Sequence, residues 1–214
     1  MLLRPIRVHR PYVFLSVAGA LFIILMCALF LPEGSWGRDN TIFQQFTQHI
    51  GRQIYKDKQA FAQANACVSW FYKAEKTPPP TMQGIGWIPT PSSQIEVDCL
   101  QHYPNGMDAA RDDLAKTQAL LSVSLTFYEF ALVADRNDDA IYSPIELQDL
   151  LHSLTLSYDA REPAPKQVTA LMDRFDSWYR SRNMDALMQG MSDLYERGYR
   201  VTPSDRAELD RVMG

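Results

Sequence analysis

Nineteen consecutive apolar or small residues, Val13 to Leu31, follow a basic head of Arg4, Arg7 and Arg10 and are closed by Pro32 and Glu33. At about 1.5 Å rise per residue such a run makes a helix roughly 28 Å long, close to the hydrocarbon thickness of a bilayer. This predicts a single transmembrane anchor over 13–32. A basic flank stays cytoplasmic, which sends everything after Pro32 across the membrane. A cleaved secretory signal is the alternative. Its apolar core is normally about 7–15 residues and ends in a small-x-small site, and Phe30, Leu31, Pro32 and Glu33 offer no such site. The expected placement is the cytoplasmic (inner) membrane, single-pass, N-terminus in, with the C-terminal body in the periplasm or extracellular space.

Beyond the anchor the chain has helical periodicity. Phe43, Phe46, Ile50, Ile54, Phe61, Ala64, Val68 and Phe71 recur at gaps of three, four and seven, the stripe of one long amphipathic helix. Asp39 and Asn40 offer its cap, and Pro78, Pro79 and Pro80 end it near Lys76. Residues 77–106 read as one irregular segment rich in Pro and Gly, with Trp87 between Ile85 and Ile88 as an anchor back onto the core. Helices are expected again from Met107 to Ala134, from Pro144 to about Tyr158, and over 166–181, 184–197 and 203–213, with Met184, Met188 and Met191 as core packing. No β alternation appears, so the fold class is all-α. The division is a cytoplasmic head over 1–12, the anchor over 13–32, the long helix with its proline-rich loop over 33–106, and a helical domain over 107–214.

Cysteine usage agrees with an oxidising compartment. Cys27 lies within the apolar run; Cys67 and Cys99 lie in the body, where pairing is expected and two free thiols are the alternative. A net charge of -4, with Lys and Arg interleaved among the acids, excludes nucleic acid as the main partner, because neutralising phosphates takes clustered cations.

The chemistry-bearing segment runs Asp135-Arg136-Asn137-Asp138-Asp139-Ala140-Ile141-Tyr142-Ser143-Pro144-Ile145-Glu146. A hard cation such as Ca²⁺ takes six to eight oxygens, and a helix–loop–helix supplies them from loop positions 1, 3, 5, 7, 9 and 12. Counted from Asp135, these are Asp135, Asn137, Asp139, the carbonyl of Ile141, Ser143 and Glu146. Phe127, Phe130 and Ala131 before the loop, and Leu147, Leu150 and Leu151 after it, give two flanking apolar faces. Over roughly 120–157 the chain strongly resembles the EF-hand family. A plain acidic turn before a helix capped by Ser143, Pro144 and Glu146 accounts for those three residues, but not for Asp135, Asn137 and Asp139 at alternate positions. The departures are Ala140 at position 6, where glycine is usual because the turn needs positive φ, and Tyr142 at position 8. Both predict weaker binding.

The resemblance implies a paired second hand. Val201-Thr202-Pro203-Ser204-Asp205 echoes Tyr142 to Glu146, but its ligand positions fall on Leu194, Glu196 and Gly198. A degenerate, metal-free hand over 194–205 is expected, with Val201 forming a β contact to the first loop. A coincidental Thr-Pro helix start is the plain alternative.

No nucleophile elbow, phosphate loop, zinc spacing or His-Glu-x-x-His helix occurs. The expected function is that of a membrane-anchored calcium-binding protein, not an enzyme, serving as an accessory or adaptor subunit for protein partners in a membrane or envelope complex. Two alternatives stand beside it. One is an envelope enzyme with a calcium-supported fold and Cys67 as nucleophile, with His49 or His102 as base. The other is a structural subunit with an empty loop.

Overall fold

The gap of seven in the first apolar stripe, Ile54 to Phe61, is where the fold places its most consequential polar residue, Asp57. The computed structural model describes residues 40–76 and 93–214. The anchor over 13–32, the head before it, Cys27, and Trp87 with its proline-rich surroundings lie outside those residues. Among the described residues the secondary structure is helical throughout, and no helix is long and apolar enough to cross a membrane.

Helix α1 (Asn40–Lys76) follows the predicted bounds. Phe46, Ile50, Ile54, Ala64 and Phe71 are buried, as the stripe requires. Helix α2 (Gln94–His102) corrects the reading of 77–106 as wholly irregular. Its start is a capping box: the Ser93 hydroxyl accepts from the Glu96 N–H and the Glu96 carboxylate accepts from the Ser93 N–H. That Ser-x-x-Glu signal was legible in the sequence. Helix α3 (Met107–Val133) runs back along α1, so that Phe46 meets Phe127 and Ala64 and Phe71 share a cluster with Ala110.

Helix α4 (Pro144–Ser153) is shorter than expected. Thr155 takes φ 58, a left-handed turn, and the Leu156 N–H donates back to the Leu151 carbonyl, which closes the helix before Tyr158. Helices α5 (Ala164–Ser181), α6 (Met184–Glu196) and α7 (Pro203–Met213) complete the body.

The main core is centred on Phe127, whose ring meets Phe175 at 5.0 Å, Phe46 at 5.6 Å and Trp178 at 5.8 Å. Edge-on arrangements of this kind add to the area the rings bury. A second, smaller core gathers Ala64, Cys67, Phe71, Cys99, Tyr103 and Ala110 around the Cys67–Cys99 disulfide, whose Cα atoms are 5.3 Å apart. This bond fastens α2 to α1, the pairing expected of these two cysteines. Of the three methionines, Met191 is buried and Met184 packs against the core, whereas Met188 is exposed.

Between the two cores along α1 lies Asp57, 5% exposed. Its carboxylate accepts from Gln53 Nε2 at 2.9 Å, the Tyr179 hydroxyl at 2.7 Å and the Ser124 hydroxyl at 2.7 Å. A buried carboxylate without a counter-ion is tolerable only when such donors replace its water. Here they tie α1, α3 and α5 together.

Candidate metal centre

Helix α3 delivers Asp135 two residues past its end, and α4 delivers Glu146 in its first turn; both side chains are buried, at 3% and 5% exposure. The chain between them is held by its own acids. The Asp135 carboxylate accepts from the backbone N–H of Asp139 at 3.2 Å and of Ala140 at 2.6 Å. Asp139 accepts from the Ile141 N–H at 2.9 Å and from the Asn137 side-chain amide at 2.9 Å. Glu146 closes the loop: one carboxylate oxygen accepts from the Arg136 N–H at 2.9 Å, the other from the Ser143 N–H at 2.7 Å. The Ser143 hydroxyl in turn accepts from the Glu146 N–H, which completes the expected capping box.

Ala140 takes φ 60, the positive value that position 6 demands, and so does Asp138. A β-carbon in that region costs about 1–2 kcal/mol; the hydrogen bond from Ala140 N–H to Asp135 holds it there. Tyr142, at position 8, turns inward: it is buried, its hydroxyl donates to the Ala131 carbonyl at 2.7 Å, and its ring meets Phe43 edge-on at 5.2 Å. The bulky residue at position 8 thus pins the loop to α3 and α1.

Burial pushes the Asp135 carboxyl up to about 6; the two backbone N–H donors oppose this, and the charges of Asp139 and Glu146 add to it. The donor chemistry suits a hard divalent cation, since every candidate ligand is an oxygen. The arrangement is not a closed ligand shell, however. Among the described residues no group of three or more His, Cys, Asp or Glu side chains is placed to hold a metal ion. Asn137 and Asp139 are exposed, Ile141 and Ser143 half-buried, and the Glu146 oxygens are turned to backbone donors.

The second loop, 197–202, lies against the first, though not through a strand: no bridge involves Val201 among the described residues, and Val201 packs on the core instead. The expected β contact is therefore replaced by side chains. The Arg136 guanidinium sits over the Tyr199 ring at 5.8 Å, and Asp149 of α4 receives Arg197 at 2.9 Å and the Tyr199 hydroxyl at 3.2 Å. Sequence reading missed Arg136, Asp149 and Tyr199, because nothing local marks a contact between residues so far apart in the chain, 48 and 50 positions for the two Asp149 bonds. Gly198 takes φ 98, and Thr202 caps α7 with Asp205 in the reciprocal manner of Ser143 and Glu146. Leu194 is buried in the core and Glu196 is exposed.

No family model, curated protein or solved structure matches this chain. The site stands on its own residues. Those proposed for nucleophilic chemistry are not assembled: Cys67 is bonded to Cys99 and both are buried, His49 pairs with Asp176 at 3.1 Å, and His102 is exposed on α2.

Proposed function

We propose that the chain is a membrane-anchored calcium-binding protein with an EF-hand-like loop at Asp135–Glu146, acting as an accessory or adaptor subunit of a membrane or envelope complex. The single observation that supports it best is the loop's backbone. Position 6 adopts a left-handed turn although it is alanine, while the first and last candidate ligands are buried and each accepts from two backbone N–H groups of the loop. The charges of Asp139 and Glu146 also act on Asp135, and a divalent cation would offset that negative charge.

In this reading Asp135, Asn137, Asp139, the Ile141 carbonyl, Ser143 and Glu146 hold the ion, and Glu146 exchanges its backbone donors for it. Bound calcium would supply positive charge that brings Asp139 and Glu146 toward Asp135. The loop over 194–205 serves as a metal-free partner that braces the first through Tyr199. The anchor over 13–32 holds the body at the outer face of the cytoplasmic membrane, where calcium is abundant enough for a weak site, of order 10⁻⁴–10⁻³ M.

Calorimetry of the full chain in mild detergent, with calcium or with chelator, tests this. The expected result is a calcium-dependent rise in melting temperature that is absent in Asp135→Ala/Glu146→Ala and reduced in Asp139→Ala, whose side chain is exposed. No rise, or the same rise in these variants, removes the proposal.

A further inference from the structure

A glycine in the middle of a long helix weakens it relative to alanine, so its presence calls for a reason. Gly51 of α1 has neither of the usual ones. Its φ is not in the positive region, and a β-carbon built on it would meet nothing within 4 Å. Gly51 lies in the lining of a cleft of about 520 Å³ between α1 and α7, a volume typical of small-molecule sites.

The cleft is cationic. Arg52, Lys58 and Arg211 line it and no carboxylate does. Arg211 shares its charge with Glu208, and the Lys58 ammonium donates to the carbonyls of Val212 at 2.9 Å and Met213 at 3.0 Å, which do not neutralise it. Arg52 is exposed, and no carboxylate among the described residues forms an ion pair with it. Two cations without a carboxylate partner among the described residues therefore line one opening, where a bound oxyanion would offset their charge. The rest of the lining is mixed: Ile54 and Val212 are apolar, and Tyr55 leaves 65% of its surface exposed.

The geometry points to a binding site in this cleft for an oxyanion, carboxylate or phosphate, carried on a flat and largely apolar body. The guanidinium of Arg52 presents the planar fork that pairs with either oxyanion, Lys58 adds a point charge, and Tyr55 with Val212 gives the body a surface to lie on. The site is independent of the loop at Asp135–Glu146 and needs no metal.

Titration of the full chain in mild detergent with phenyl phosphate, benzoate and the uncharged benzyl alcohol tests it. Saturable binding is expected for phenyl phosphate or benzoate, the stronger of the two identifying the oxyanion, with benzyl alcohol at least tenfold weaker. Arg52→Glu should weaken that binding by about tenfold or more. Gly51→Leu should abolish it while leaving the melting temperature unchanged or raised, because the added side chain fills the cleft and favours the helix. The inference is overturned by no saturation with either anion up to about 10 mM, by equal binding of benzyl alcohol, or by wild-type affinity in both variants.

Discussion

The Ser124 hydroxyl of α3 donates to the Asp57 carboxylate of α1 across 2.7 Å, and both residues are shut away from water. Around this bond the Tyr179 hydroxyl and the Gln53 amide supply the other donors, and burial followed by the Asp57 hydrogen bond drives the Tyr179 phenol well above its ordinary pKa. Asp57→Ala should strand those donors and destabilise the fold by about 2–4 kcal/mol, whereas Ser124→Ala should cost about 1–2 kcal/mol. Urea unfolding of both variants and their combination checks this. The double variant is expected to cost less than the sum, because the two changes remove one shared interaction.

Gly190 of α6 is small for a different reason from Gly51. A β-carbon there would lie 2.7 Å from the Ser153 backbone carbonyl and 3.0 Å from the Phe130 ring. Backbone cannot move aside as a flexible side chain can, so Gly190→Ala should push α6 off α4. A loss of about 1–3 kcal/mol is expected despite the better helix propensity of alanine. A raised denaturation midpoint would contradict this contact.

Acid should favour the ion-free fold through Asp135. Its carboxyl is raised to about 6 in the folded chain, against roughly 3.9 when unfolded. Between those values the native state keeps a proton that the unfolded chain has released. The contribution is therefore full below about pH 4, lost as pH rises to about 6, and flat above. The slope cannot exceed about 1.4 kcal/mol per pH unit. Melting temperatures in chelator from pH 4 to 7 should show this decline in the wild type and a flatter profile in Asp135→Asn. Parallel profiles would rule it out.

Reduction should loosen the end of α1 that carries the smaller core. Cys67 and Cys99 are 32 positions apart, and closing a loop of that size is worth about 3–4 kcal/mol in the chain-entropy account. Cys67→Ala/Cys99→Ala should lower the melting temperature accordingly, with proteolysis rising first around α2. The Phe127-centred core does not include either cysteine and should keep its near-ultraviolet signal at temperatures where α2 is already cleaved.

Local order decided what could be read in advance. The stripe from Phe43 to Phe71, the Ser143–Glu146 and Thr202–Asp205 capping boxes, and the stops before proline all follow from spacings of three and four, which are properties of a single helix. The same local logic called for positive φ at position 6, where Ala140 has φ 60, and placed Asp135 and Glu146 at the two ends of one bend. It overran at α4, because Tyr158 continues the apolar spacing while Thr155 has already turned left-handed. It overlooked α2, although Ser93 and Glu96 announced it, because six prolines and three glycines dominate the surrounding composition.

Side-chain direction in space was beyond reach of spacing. Nothing in a charged residue at a stripe position states that Asp57 will find Ser124 and Tyr179, 67 and 122 positions away. Nor does an acidic loop reveal that Glu146 will face backbone donors, or that the second loop will meet the first through Arg136 and Tyr199 rather than through a strand. The amino-acid order by itself determined the helices, their caps and the oxygen-rich bend, since each depends on neighbours within one or two turns. Tertiary packing alone decided which polar groups are buried together and which small residues guard a contact or leave a cleft, because those outcomes depend on helices distant in the chain excluding water from the same space.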